Sequence, residues 1–122
     1  MAIKLHDAEL RVMDVIWKAG EVSASKISDV LKEKFDYGKT TTYTLIKRCI
    51  DKGAIERCGP KFICRALVSQ EQAQELETSE LINKLYDGEA DRLVASILGN
   101  MKLSPDEVTR LKRIVREWSD EK

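Results

Sequence analysis

The sequence predicts a mainly helical protein with one small β-hairpin, arranged in two modules. Three observations carry that expectation. A helix over the Tyr37–Gly53 stretch has one apolar face and one cationic, hydroxyl-rich face without a carboxylate. A period-two stretch with a Gly59-Pro60-Lys61 tip follows it, and three more helical segments follow that. Charge divides the same way. Residues 1–68 hold 13 Lys and Arg against 9 Asp and Glu, whereas residues 69–122 hold 8 against 12. The formal net charge of zero therefore hides a basic half and an acidic half, as expected of modules with different partners.

The first helix is expected from about Asp7 to Ala19, with Asp7 as its cap and Leu10, Val12, Met13, Ile16 and Trp17 on its buried side. Gly20 ends it. Val22 is placed for a short β-bridge, and Ser23 caps a second helix from Ala24 to about Lys34, with Ile27, Val30 and Leu31 inward. Phe35-Asp36-Tyr37-Gly38 makes a tight turn, with Gly38 expected to supply its backbone freedom.

In the helix that follows, Thr42, Leu45, Ile46, Cys49 and Ile50 recur at core spacing. Lys39, Thr40, Thr41, Tyr43, Thr44, Lys47 and Arg48 share the other side. Solvated helices usually mix acid with base, while short donors and cations suit phosphates and base edges. Helix, tight turn and a second helix with a polar cationic face make the helix-turn-helix plan. Ala54–Cys58 and Phe62–Leu67 read as two strands, a hairpin directly behind that motif and so a wing. Arg57 and Lys61 on it are placed to reach a phosphate or the minor groove. An exposed helix and a hairpin that merely covers the core remain the bland alternatives.

From Ser69 the pattern stays helical. Ser69 with Gln72 forms a capping box, and Leu76, Leu81, Ile82, Leu85 and Tyr86 lie along a long helix ending near Gly88. Glu89 to Asn100 gives another helix with Leu93, Val94, Ile97 and Leu98 inward. Ser104-Pro105-Asp106-Glu107 starts a last one, striped by Val108, Leu111, Ile114, Val115 and Trp118. So short a segment can hardly bury that many apolar groups by itself. A second copy of the chain is the simplest resolution, with Leu81, Leu85, Leu93, Ile97, Leu111, Ile114, Val115 and Trp118 as dimerisation residues; the alternative is that these helices fold back on their own first domain.

Other chemistry has little support. One histidine, His6, and three cysteines without C-x-x-C spacing argue against a metal site, and no cofactor is expected. Cys49 falls on an apolar stripe. Cys58 and Cys64 flank a turn and are close enough in sequence to approach one another. No nucleophile motif, Gly-rich phosphate loop or carboxylate pair suggests an enzyme. The absence of a long apolar run or a secretory leader predicts no membrane insertion and a cytoplasmic protein.

These segments, L-H-D-A-E-L-R-V-M-D-V-I-W, V-S-A-S-K-I, K-T-T-T-Y-T-L-I-K-R-C-I-D-K-G-A-I, L-I-N-K-L-Y-D-G, R-L-V-A-S-I-L and L-S-P-D-E-V-T-R-L-K-R-I, together resemble the penicillinase repressor family across nearly the whole chain. The resemblance implies a winged helix-turn-helix N-terminal domain, residues 1–68, and a helical C-terminal dimerisation domain, residues 69–122. It implies a homodimeric repressor on palindromic double-stranded operator DNA that controls beta-lactamase or related antibiotic-resistance genes. The family's contact positions correspond to Thr40, Thr41, Tyr43, Thr44 and Arg48, with the wing around Lys61. Induction in the beta-lactam branch follows cutting by a sensor-linked protease at an Asn-Phe bond, and Ser96-Ile97 stands at that position here. Tyr37 replaces a tryptophan common before the recognition helix, and the cysteine pairs of the copper-responsive branch are missing. A winged-helix module that docks a protein, or a repressor with a ligand or thiol inducer, is the alternative.

Overall fold

The computed structural model describes residues 3–121, with side chains through residue 120. The elements are α1 (Asp7–Ala19), β1 (Glu21–Ser23), α2 (Ala24–Phe35), α3 (Lys39–Asp51), β2 (Ile55–Cys58), β3 (Ile63–Ala66), α4 (Gln70–Leu85), α5 (Ala90–Asn100) and α6 (Pro105–Glu121). The chain divides into two compact units, Met1–Ser79 and Glu80–Lys122.

The first unit is a winged helix. Its sheet is antiparallel in the order β1-β3-β2, with Val22 opposite Cys64 and Arg57 opposite Cys64 from the other side. The Val22 bridge is therefore a full three-residue strand. Leu5, Val12, Met13, Ile16, Ile27, Leu31, Leu45, Ile46, Cys49, Ala54, Ile55 and Cys64 form one core between helices and sheet. Each fully buried large aliphatic side chain there stabilises the fold by roughly 1.5–3 kcal/mol. Leu10 and Trp17 are only partly buried. The Trp17 indole N–H donates to the Val68 carbonyl at 3.0 Å, so the ring sits at the edge and ties α1 to the chain entering α4. The Lys4–Glu77 ion pair at 2.9 Å makes a second tie, to the middle of α4.

Two end signals differ from expectation. His6, not Asp7, occupies the N-cap of α1, because the Glu9 carboxylate reaches back to accept the His6 backbone N–H at 2.8 Å. In the α2–α3 turn the left-handed residue is Asp36, φ 58, while Gly38 is extended at φ −69 and caps α3. Asp residues tolerate that conformation better than most, and the Lys32–Asp36 pair at 2.5 Å secures it. The other caps follow the sequence. Ser23 Oγ accepts from Lys26 N, and Ser69 with Gln72 and Ser104 with Glu107 form reciprocal boxes.

The second unit has a different economy. Among its described residues none is fully buried, and Leu81, Leu85, Val94, Leu98, Met101, Leu111, Ile114, Val115 and Trp118 are exposed. Val94 and Leu98, expected inward, lie on an exposed side of α5. Leu93 and Ile97 are the half-buried positions.

Candidate nucleic-acid interface

The polar face of α3 stands clear of the core. Thr42, Leu45, Ile46 and Cys49 anchor the helix from within, and Ile50 is partly buried. Lys39, Thr40, Thr41, Thr44, Lys47 and Arg48 are exposed, and Tyr43 is half-buried beside them. Lys39, Lys47 and Arg48 enter none of the ion pairs among the described residues, and the one acidic residue of α3, Asp51, stands in its last turn. No acidic residue occupies the first turn of α3. Its exposed N-terminal N–H groups and positive dipole end add to the same sign.

The wing completes the surface. Lys61 is exposed at the hairpin tip and Arg57 is exposed on β2. The Arg57 guanidinium lies 3.9 Å from the centroid of the Phe62 ring, and that ring meets Tyr43 edge-on at 5.9 Å. Lys39 Nζ sits 5.7 Å from the Tyr43 centroid. The structure thus joins the helix face to one of the two hairpin cations, Arg57, while Lys61 stands exposed at the tip. Phe62 is the element that sequence reasoning missed: it reads as an ordinary strand residue.

The α2–α3 turn has its own support. Arg11 Nη1 donates to the Tyr37 hydroxyl at 2.8 Å, with its guanidinium 4.1 Å above Phe35. Tyr37 offers an acceptor here that an indole, a donor only, lacks. The Tyr37 hydroxyl is thus matched by an arginine on α1.

The far end of α3 is fixed by charge. Lys52 Nζ donates to Glu9 Oε1 at 2.6 Å and to the Lys4 carbonyl at 3.0 Å. Glu9 is buried, which raises its pKa, yet the Lys52 hydrogen bond, the His6 N–H and the nearby positive charge together hold the carboxyl below its usual range. Its other oxygen and the Thr42 hydroxyl are buried with no hydrogen-bond partner among the described residues.

The thiols do not form a site. Cys58 pairs with Ile63 and Cys64 with Arg57, so the pleat sends the two sulfurs to opposite faces of the hairpin, and all three cysteines are free. Burial pushes the Cys49 thiol up to about 12, helped by the charge of Glu9, and burial also raises Cys64. Among the described residues no cluster of His, Cys, Asp and Glu could hold a metal ion.

The family model described as "Penicillinase repressor" matches residues 5–117. The chain belongs to the penicillinase repressor family. Within that family it is 28% identical over 121 residues to the penicillinase repressor of Bacillus licheniformis, covering 98% of this chain and 94% of the relative. It is 30% identical over 116 residues to the methicillin resistance regulatory protein MecI of Staphylococcus aureus, covering 93% and 94%. Among solved structures, the B. licheniformis BlaI monomeric form in complex with the blaP half-operator matches at a TM-score of 0.51 and 27% identity. That match covers 59% of this chain and 90% of the BlaI chain. The reduced form of MarR from E. coli, at 17% identity and a TM-score of 0.52, shares the fold over 93% of this chain.

The residues expected to mediate dimerisation lie elsewhere. Leu81 and Leu85 are exposed on α4, Leu93 and Ile97 half-buried on α5, and Leu111, Ile114, Val115 and Trp118 exposed on α6. Ser96 and Ile97 sit inside α5, where the Ser96 carbonyl accepts from Asn100 Nδ2 at 3.2 Å and its Oγ is 3.3 Å from the Tyr86 hydroxyl.

Proposed function

We propose that this chain is a transcriptional repressor that binds double-stranded operator DNA through α3 and the wing and acts as a homodimer. The observation that carries this reading is the exposed cationic face of α3, whose cations enter no ion pair among the described residues and which is linked to Arg57 of the wing through Tyr43 and Phe62. Lys39, Lys47, Arg48 and Lys61 hold phosphates, while Thr40, Thr41, Thr44 and Tyr43 meet base edges or thymine methyls. Antibiotic-resistance genes are the expected targets, since relatives carry the names penicillinase repressor and methicillin resistance regulatory protein. The mechanism is occupancy of DNA and involves no catalysis or cofactor.

Residues 1–68 form the DNA-binding domain and residues 69–122 the dimerisation domain in this reading. Leu81, Leu85, Leu93, Ile97, Leu111, Ile114, Val115 and Trp118 meet their equivalents on a second copy, which supports the burial that one chain leaves undone. Two recognition helices related by a twofold axis read a palindrome with half-sites about one DNA turn apart, or a multiple of that. Induction follows from loss of the dimer, because tight binding then depends on monomer concentration. A cut at Ser96–Ile97 by a sensor-linked protease is one route. Proteases bind extended backbone, so α5 must first unwind there and break the Asn100 contact. No helix among the described residues is long and apolar enough to cross a membrane, and a repressor works in the cytoplasm with the DNA.

A footprint on the DNA upstream of the protein's own gene, taken across a salt series, tests the reading. A protected palindrome is expected. Arg48→Ala should flatten the salt slope by about one unit for every sequence, whereas Tyr43→Ala should change preference among sequences by roughly 1–3 kcal/mol. Uniform coverage that vanishes with salt would instead favour a protein-docking module.

A further inference from the structure

Phe62 stands where three elements meet. Its backbone lies in the left-handed region at φ 53, which is rare for a bulky residue. Its carbonyl accepts the backbone N–H of Ala24, the first residue of α2, at 2.9 Å. Its ring packs at 81° to the Tyr43 ring and carries the Arg57 guanidinium. Lys39, Tyr43, Phe62 and Arg57 thereby form one continuous cation–aromatic column from the start of α3 to the wing.

A tight turn alone does not call for phenylalanine at this position. Glycine or asparagine adopts the conformation with less strain, and Gly59 at φ 69 does so on the other side of the same turn. A strained residue kept for its ring points to what the ring touches. Without Phe62, the half-buried Tyr43 loses the neighbour that holds its ring, and Arg57 loses the surface it stacks on. Both side chains would then have to be ordered when DNA binds, an avoidable loss of affinity for the correct sequence.

We propose that Phe62 is a positioning residue for sequence discrimination, its ring locking Tyr43 and Arg57 into one reading surface before DNA arrives. This inference rests on the DNA-binding reading above. It gives Phe62 a role through Tyr43 and Arg57 and joins the recognition helix and the wing in a single function.

The test uses the full chain as wild type, Phe62→Gly, Phe62→Asn and Phe62→Tyr. Each is titrated with a duplex that the wild type enriches from a random-sequence pool and with a scrambled duplex, across a salt series. Gly and Asn suit the backbone, so both variants should keep the wild-type melting temperature within a few degrees. Their ratio of selected to scrambled affinity should fall about five- to tenfold. Scrambled affinity and its salt slope should hold, since no cation is removed. Phe62→Tyr, which keeps the ring, should restore the ratio. Should Gly and Asn variants melt early, Phe62→Leu takes their place, keeping apolar volume without a ring, with the same readings expected.

An unchanged ratio in the ringless variants would overturn the inference, as would an equal fall for both duplexes. If the wild type enriches no sequence at all, the DNA reading falls first and this inference with it. If the wild type enriches one and the variants match it, only the role of Phe62 is lost.

Discussion

The two units of this chain solve burial in opposite ways. In Met1–Ser79, helices and sheet close over a continuous core in which Val12, Met13, Ile16, Ile27 and Ile46 are fully buried. In Glu80–Lys122 no described residue is buried, and α5 and α6 present Val94, Leu98, Leu111, Ile114, Val115 and Trp118 to solvent. Exposed apolar surface on this scale marks an interaction site. The first unit buries its large apolar residues within itself, and the second leaves apolar faces exposed.

That contrast can be broken most forcefully from the core side. Ile46→Ala should destabilise the first unit by about 2–5 kcal/mol, seen as a lower denaturant midpoint at every protein concentration. Leu111→Asp should act on the other side alone. A charge in an apolar interface costs on the order of 3 kcal/mol, about two decades in dimer dissociation constant, while unfolding of the first unit stays where it was. Sedimentation showing an intact dimer for that variant would count against α6 as the interface.

Smaller changes sharpen the picture within the first unit. Because the Glu9 carboxyl is held below its ordinary range, its pairing stabilises the fold above the normal carboxylate range, and this is lost as pH falls through the lowered value. Glu9→Gln should cost about 1–3 kcal/mol near neutrality and make acid unfolding less steep. An unaltered acid limb would remove Glu9 from the account. Thr42→Val has the smallest expected effect and the opposite sign. It replaces a buried hydroxyl, without a partner among the described residues, by a methyl group, and should raise stability by about 1 kcal/mol.

Much of this architecture was legible because helix starts are chemically explicit. Ser23, Ser69 with Gln72, and Ser104 before Pro105 announce α2, α4 and α6, and the period change after Gly53 announces the wing. Polar-face exposure on α3 followed from the same periodicity. What escaped were features set by three-dimensional parity and by contact between distant elements. Pleat parity separates Cys58 from Cys64 although their spacing around the turn suggested proximity. Val94 and Leu98 have helical spacing suited to burial, but spacing does not say whether the covering surface belongs to the same chain. The left-handed backbone of Asp36 and Phe62 is equally silent in sequence, since Gly38 and a strand assignment were the simpler expectations. The local pattern pointed to Asp7 as the cap of α1, and neither the role of Glu9 there nor its Lys52 partner was visible in it.

The distribution of the thiols gives the molecule an internal clock. Cys49 and Cys64 are sealed and resist ionisation, whereas Cys58 on the wing is partly accessible. A thiol reagent should modify Cys58 promptly in the native state. Cys49 and Cys64 should follow only as fast as the first unit opens, so stepwise mass increments would time the breathing of the reading head, with or without DNA bound.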